Sequence, residues 1–391
     1  MHALVTSPVP SHPQNHGNRA RVYAVCRELQ ARGYQVHFLY GGLEGLSDTQ
    51  EQAMRSAWEH VYVLPTDPGA KKRSTRRHHL IDDWYVPQAT NIIRRILNVW
   101  DIKFCLANYV WFSKWLEIVP RGIPRYIDTH DVFGNRHKTL KRAGQTPTWF
   151  STTPKEEAKA LARADTVIAI QDREAEVFRS MTKRPVVTLG FFDAPQFLDK
   201  TTDVPNPAGL AQAANGHKLK VGYIASDNPI NKHALGLLVD GLKATPALSA
   251  ICDFYLAGPI CDVEAADGFG FHKLGFVPSV EGFYADMDII LNPNIGGSGL
   301  KIKSVEALRF GRPLIATADA MIGIASPHPL HNCTDVGDLC TNLMRIAQNP
   351  AQISALQQAG RQAFLTYRGS QLETLDHLFP RVSGGPAGDM T

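Results

Sequence analysis

Long apolar runs are missing from this chain. None of its 391 residues sits in a stretch of about 18 consecutive apolar positions, which excludes a membrane-spanning helix. Cysteine is sparse: Cys26, Cys105, Cys252, Cys261, Cys333 and Cys340 stand far apart, with no CxxC pair among them. That spacing argues against a zinc ribbon or a thioredoxin-type motif and predicts reduced, buried thiols of the cytosolic kind. An excess of one charge is absent too. Lys and Arg number 41 against 37 Asp and Glu, and a net charge of +4 over this length does not point to nucleic acid. The opening MHALVTSPVP has neither a basic region nor a long apolar one, so no signal peptide is expected and a cytoplasmic location is. No G-x-G-x-x-G follows either of the first strands described next, which counts against a dinucleotide-dependent oxidoreductase.

What is present is alternation. Ala3 to Val5 reads as a strand, a polar loop runs from Ser7 to Gly17, and Val22, Val25, Cys26 and Leu29 fall on one helical face. Gly33 stops that helix, and residues 35–40 read as the next strand. Further strands are predicted at 60–64, 104–108, 125–128, 166–170 and 186–189. Residues 190–218 lose periodicity and read as a linker. The pattern restarts at 219–224 and continues at 254–257, 272–276, 289–292 and 313–317. Strands alternating with helices imply parallel sheets, here α/β and doubly wound, in two domains with a cleft between them. We place the domains at 1–190 and 191–365. A C-terminal helix (Gln371, Leu372, Leu375, Leu378, Phe379) in segment 366–391 returns toward the first, followed by a disordered tail, SGGPAGDMT.

The most informative stretch is NPNIGGSGLKIKSVEALRFGRPLIAT, residues 292–317. A strand ends, a loop carries Gly296, Gly297, Ser298 and Gly299, and a helix is predicted to start near Ile302. Such a turn lets backbone approach a ligand closely, and the helix N-terminus favours an anion such as a phosphate or diphosphate. Lys301 and Lys303 put two cations at that end, against the helix dipole, as if to meet an anionic ligand. Glu306, one turn on, can accept hydrogen bonds from two neighbouring hydroxyls, as an acidic residue does on ribose in dinucleotide folds. The plainer reading is an i,i+3 pair of Lys303 with Glu306, worth a few tenths of a kcal/mol.

GSGLKIKSVEALRFGRPLIAT resembles the C-terminal motif of GT-B glycosyltransferases of the group-1, or family-four, type, in the form seen in polysaccharide enzymes. VGYIASDNPINKHAL resembles the opening of their nucleotide domain, and LAGP and LGFVPSVEGFYADMDIILNP its later strands. GNRARVYAVCRELQARGYQVHFL resembles the first βα unit of the other domain, and YIDTHDVFGNR a segment of some polysaccharide-type members. The resemblance implies a GT-B architecture, two Rossmann-like doubly wound domains facing a central cleft. It implies transfer of a sugar, with retention of configuration, from a nucleotide diphosphate sugar to a glycan or lipid-linked acceptor. In its terms Lys303 and Lys301 neutralise the departing diphosphate, Glu306 binds ribose, and Gly297, Ser298 and Gly299 face diphosphate and sugar. Phe276 and Val277 flank the base, Asn231 occupies a position where relatives often carry Asn, and Gly17 and Asn18 line the acceptor side. His130 sits over the reacting sugar. One departure stands out: where the motif has a second carboxylate, eight residues before Glu306, this chain has Ser298. The nucleotide domain also lacks the usual Arg and Lys soon after its first strand.

His130 follows Asp128 at an expected strand end, where a neutral imidazole can donate to a sugar or a leaving-group oxygen, with Asp131 to orient it or to cap the next segment. Asp286-Met287-Asp288 is a D-x-D triplet of the kind that binds metal elsewhere, but its place between a helix and a strand predicts a structural role. His328 and His331, split by Pro329, lack a third ligand. No metal requirement is therefore expected. Residues 71–79, KKRSTRRHH, pack cations just before Leu80, Ile81, Trp84 and Tyr85, which reads as a solvated loop or as a peripheral contact of residues 71–85 with an anionic inner-membrane face. Two rival functions remain at this level, a catalytically silent sugar-nucleotide-binding partner and a GT-B sugar-nucleotide epimerase.

Overall fold

The computed structural model describes residues 1–14, 16–65, 71, 73–142, 149–198, 218–296 and 300–382. They form two compact units, Met1–Phe191 with Gln371–Thr391, and Phe192–Ser370.

The first unit is built on a seven-stranded sheet of β1 (His2–Ser7), β2 (Gln35–Tyr40), β3 (His60–Val63), β4 (Ile102–Asn108), β5 (Arg125–Asp128), β6 (Thr166–Ala169) and β7 (Val186–Thr188). Its order is β3-β2-β1-β4-β5-β6-β7, and every pairing is parallel. Parallel neighbours need long crossovers. Helices α1 (Gly17–Ala31), α2 (Asp48–Ala57), α3 (Gln88–Val99), α4 (Arg136–Arg142), α5 (Pro154–Leu161) and α6 (Asp172–Met181) supply them, and only short 3₁₀ turns separate β4 from β5. Helix α1 buries Val22, Val25, Cys26 and Leu29, the stripe its spacing predicts. It ends before Gly33, whose φ of +90° suits glycine and whose missing Cβ would stand 3.0 Å from Val382.

The second unit carries β8 (Leu219–Ile224), β9 (Cys252–Ala257), β10 (His272–Lys273), β11 (Ile289–Asn292) and β12 (Leu314–Ala316), all parallel in the order β10-β9-β8-β11-β12. Helices α7 (Pro229–Ala244), α8 (Leu248–Ile251), α9 (Val280–Asp286), α10 (Ile302–Arg309) and α11 (Val336–Ala347) lie between or after these strands, and α12 (Pro350–Leu378) follows. The core packs Tyr223, Leu235, Leu238, Leu256, Ile289, Leu291, Ile315, Leu339 and Leu343 together. Strand β10 is shorter than the 272–276 that its composition predicts. Gly275 turns to φ +62° and its carbonyl accepts from Gly258 N–H at 2.6 Å, which ends the ladder early.

In each sheet the strand order reverses once, at β1/β4 and at β8/β11, and ligands of doubly wound folds bind beside the carboxyl ends of strands at such points. All six thiols are buried and unpaired, as expected, and burial raises Cys333 to about 11. Most of the linker, residues 199–217, and the tail from Ser383 lie outside the described residues. Among the described residues no helix is long and apolar enough to cross a membrane.

Candidate functional site

At the carboxyl ends of β8 and β11 in the second unit, Lys303 comes to rest among amides. Its Nζ donates to Asn231 Oδ1 at 2.6 Å and to Asn294 Oδ1 at 3.2 Å, and lies 5.3 Å from the centre of the Tyr223 ring. The amides are themselves fixed. Asn231 Nδ2 donates to the Ser226 carbonyl at 2.9 Å, Asn294 Nδ2 donates to Asn231 Oδ1 at 3.3 Å, and Tyr223 Oη donates to Asn294 Oδ1 at 3.3 Å. Thr317 Oγ1 holds the Asn294 carbonyl. Two residues earlier on the same strand end, Asn292 Nδ2 donates to Ser304 Oγ at 2.7 Å, and that hydroxyl donates to the Ala320 carbonyl at 2.7 Å. Asn292 thus anchors the first turn of α10 while Asn294 anchors Lys303.

No carboxylate pairs with Lys303 among the described residues. Burial lowers it to about 7, with the charge of Lys301 pushing the same way and Glu306 opposing. Glu306 turns instead to Tyr284, whose hydroxyl donates to Oε2 at 3.1 Å, so the i,i+3 pair is not formed. Burial raises Glu306 to about 7. Lys301 is the extended residue just before α10 and provides no side-chain cap. Gly296 adopts φ +73° and its N–H donates to Asp319 Oδ2 at 2.7 Å, which fixes the start of the loop. Gly297, Ser298 and Gly299 lie outside the described residues. Phe276 stands 84% exposed just past β10, with Val277 half-buried beside it. An aromatic of that size left in water at a strand end is unusual and offers a stacking face.

In the first unit, Arg21 of α1 and Asp128 at the end of β5 form a buried bidentate pair at 2.7 and 2.9 Å, and Arg21 also donates to the carbonyls of Leu189 and Gly190. Two residues on, His130 takes φ +61° and stacks on Tyr109 with ring centres 4.1 Å apart. Backbone in the left-handed region at a β-strand end is the kind of strain that collects at functional sites. His130 Nε2 lies 2.8 Å from Asn108 Oδ1. Asn108 Nδ2 must donate to the Thr6 carbonyl, 2.9 Å away, so its oxygen faces the imidazole and His130 carries its hydrogen on Nε2. Burial, the largest effect, lowers His130 to about 4 and keeps it neutral, with Nδ1 as the lone-pair nitrogen. Asp131 does not orient His130 as the sequence suggests. It is held by Arg136 and by Val132 N–H at 2.8 Å, and Asn108 and Tyr109 do the orienting. Gly17 opens α1 exposed, and Asn18 at its first turn hydrogen-bonds Tyr109 and accepts from Arg19 N–H at 2.9 Å.

Sequence reasoning missed several groups around these centres. Asn294, Tyr284, Asn108 and Arg21 act through partners far away in the chain, and no local pattern marks them. Two buried carboxyls in the first unit were also unread. Glu157 accepts from Phe133 N–H at 2.9 Å and Gly134 N–H at 2.7 Å, and Glu174 has one oxygen without a partner among the described residues. Burial raises both to about 7.

The D-x-D triplet lies elsewhere. Asp286 meets Lys220 Nζ at 2.7 Å and Asp288 accepts from Lys220 N–H at 2.8 Å, at the amino ends of β8 and β11. His331 is bonded to Ser326 at 2.6 Å and His328 accepts from Leu330 N–H at 3.2 Å. Trp84 does not face solvent beside the basic segment, as a membrane-surface aromatic would. It is buried against His79, Trp111, Trp149 and Phe150.

The chain has the fold of GT-B glycosyltransferases. Over 97% of its length it matches sucrose-phosphate synthase of Thermosynechococcus elongatus, covering 99% of that chain, with TM-score 0.61 at 15% identity. HepE of Anabaena, solved with UDP-glucose, gives TM-score 0.58 at 14% identity over 96% of this chain and 100% of that one. A mutant of S. aureus TarM, solved with Fondaparinux, alpha-GlcNAc-glycerol and UDP, gives 0.53 at 13% identity over 74% and 58%. No curated protein matches in sequence. Residues 218–345 match the model of the family described as glycosyl transferases group 1. The matched segment contains Asn231, Tyr284, Asn294, Lys303 and Glu306.

Proposed function

We propose that this protein transfers a sugar from a nucleotide diphosphate sugar to a hydroxyl of a glycan or lipid-linked acceptor, in the synthesis of a polysaccharide or glycoconjugate, with retention of configuration. The observation that carries the reading is Lys303, a buried amine at a strand carboxyl end whose fixed partners are neutral amide oxygens. A diphosphate arriving there supplies the missing countercharge, and a charge positioned in advance is worth most as the leaving group develops negative charge. Lys301, just before α10, and the backbone of residues 297–299 are assigned to the same anion site. Glu306 accepts from the ribose hydroxyls, Phe276 and Val277 take the base, and Asn231 holds Lys303 in place. UDP is the first base to test, because HepE and TarM were solved with UDP or a UDP-sugar.

The acceptor side falls to the first unit, through Gly17 and Asn18, and His130 is assigned to the reacting sugar. His130 offers Nδ1 as a hydrogen-bond acceptor, so it takes the hydrogen of a sugar hydroxyl rather than giving one. The cationic work lies with lysine, so the reaction needs no metal ion. A peripheral contact with an anionic inner-membrane surface, from the cytoplasmic side, is assigned to the basic residues 71–79 together with α4.

Calorimetry with UDP, GDP, CMP and NAD, on the wild type and on Lys303→Ala, tests the reading. One nucleoside diphosphate should bind, and the substitution should weaken it about 10- to 100-fold, the scale of a lost charge-assisted hydrogen bond. Absence of nucleotide binding, or affinity indifferent to Lys303, removes the donor assignment. Binding without turnover on any glycan acceptor leaves the silent-partner alternative.

A further inference from the structure

The amino ends of β1, β2 and β3 hold a second concentration of chemistry, at the opposite end of the first sheet from His130. Register places His37 beside His60 and Leu4 beside His37. His2 precedes Leu4 by two residues, so the two-residue period of a strand puts His2, His37 and His60 on one face of three neighbouring strands. There they converge. His2 Nδ1 lies 3.0 Å from His37 Nε2, and one ring nitrogen from each of the three falls within 4.8 Å of the others. The ring centres stand 4.1, 5.1 and 6.4 Å apart. Imidazoles bound to one tetrahedral ion at ~2.0–2.1 Å have ring centres about 5 Å apart, inside that range.

The surroundings suit an ion. His37 Nδ1 lies 3.2 Å from the Tyr62 hydroxyl, which can accept its hydrogen and leave Nε2 free to coordinate, the usual outer-shell arrangement of a ligating histidine. Trp100 packs against all three rings at 4.7, 5.0 and 4.6 Å and walls off one side. Coordination would need a modest turn of His60, whose ring is stacked on His37 with an interplanar angle of 23°.

We propose that His2, His37 and His60 form a three-histidine site for a divalent transition-metal ion, zinc being the first candidate. Imidazole donors suit zinc, copper and nickel and disfavour magnesium or calcium. Three protein ligands leave a fourth position for solvent. The ion ties together three adjacent strands at the end of the sheet remote from His130, so its role is to stabilise the first unit. The proposal does not depend on the transferase reading.

The test uses the full chain freed of any affinity tag and stripped with chelator, titrated near neutral pH with Zn²⁺ by calorimetry and with Co²⁺ by visible absorption. The expected result is one ion per chain, the absorption of four-coordinate Co²⁺, and a higher melting temperature with Zn²⁺ present. His2→Gln and His60→Gln, at half-buried positions that tolerate the change, should each weaken Zn²⁺ at least about tenfold with circular dichroism unchanged. His328→Gln, in the second unit, should leave the affinity as it was. No binding, or binding that ignores His2 and His60, overturns the site and leaves the trio as a hydrogen-bonded chain ending on Tyr62.

Discussion

Two groups in the second unit are moved toward neutrality from opposite sides, and that makes the donor site a proton balance. Lys303 is held down at about 7 and Glu306 is held up at about 7, each by burial first. A diphosphate beside Lys303 favours the ammonium form and raises its value, so binding takes up a proton between the free and bound values. Hydroxyls donated to Glu306 favour the carboxylate and lower its value, so binding there releases one. At about pH 8 Glu306 is already mostly ionised and uptake dominates, whereas near pH 6 Lys303 is already charged and release dominates. Calorimetry of an intact UDP-sugar, whose diphosphate does not titrate in this range, in buffers of unequal ionisation enthalpy should show the sign reverse. One sign throughout, or no buffer dependence, removes Lys303 or Glu306 from contact with the donor. The lysine itself was legible in the sequence, since a cation at a helix N-terminus is out of place there without an anion. Asn294 and Tyr284 were not, because their bonds join residues brought together only by the sheet and by α9.

At the level of elements, the period of the apolar residues was enough for most strands. Predicted boundaries at 125–128, 219–224 and 289–292 coincide with β5, β8 and β11. Where it failed, at β10, the cause was backbone geometry rather than pattern. Gly258 and Gly275 both take positive φ, and the bond between them replaces the ladder that residues 275 and 276 would have made. Gly258 is accordingly the most demanding glycine near the donor residues. At φ +85°, a Cβ on it would stand 2.5 Å from the Ala225 carbonyl oxygen, which is backbone and cannot swing aside. Gly258→Ala should therefore cost about 2 kcal/mol or more, the scale of enforced left-handed strain plus an overpacked contact. Because Ala225 leads into the loop before Asn231, nucleotide affinity should fall with it. Urea denaturation with nucleotide titration checks both, and a stability change under about 0.5 kcal/mol, the range of an unremarkable surface site, would falsify the account.

Over the whole molecule, a formal charge of +4 conceals an uneven distribution. Elsewhere in the first unit several arginines meet carboxylates: Arg19 with Glu44, Arg21 with Asp128, Arg32 with Glu28 and Asp376, Arg125 with Asp165, Arg163 with Asp82 and Glu117. Lys71, Arg73, Arg76 and Arg77 are exposed, and so are Lys138 and Lys141 of α4. None of them meets a carboxylate among the described residues. The two segments are neighbours although some 60 residues apart in the chain: His79 N–H donates to the Ser151 carbonyl at 2.8 Å, Ser151 Oγ accepts from His137 N–H at 2.7 Å, and the rings of His78 and His137 stand 6.2 Å apart. The sequence displayed only the first half of this surface, because a linear run cannot announce what folds beside it. With Trp84 buried, the proposed contact with an anionic bilayer would rest on charge and not on aromatic insertion, and basic residues near such a surface contribute roughly 1 kcal/mol each. The protein should therefore sediment with vesicles containing phosphatidylserine and stay in solution with neutral ones, and the binding should fade as salt shortens the reach of the charges. Arg76→Glu with Lys138→Glu should release it while the melting temperature and nucleotide affinity hold, since both side chains lie in solvent and outside the donor site. Equal binding to neutral vesicles, or association untouched by the double substitution, assigns these cations to solvent alone.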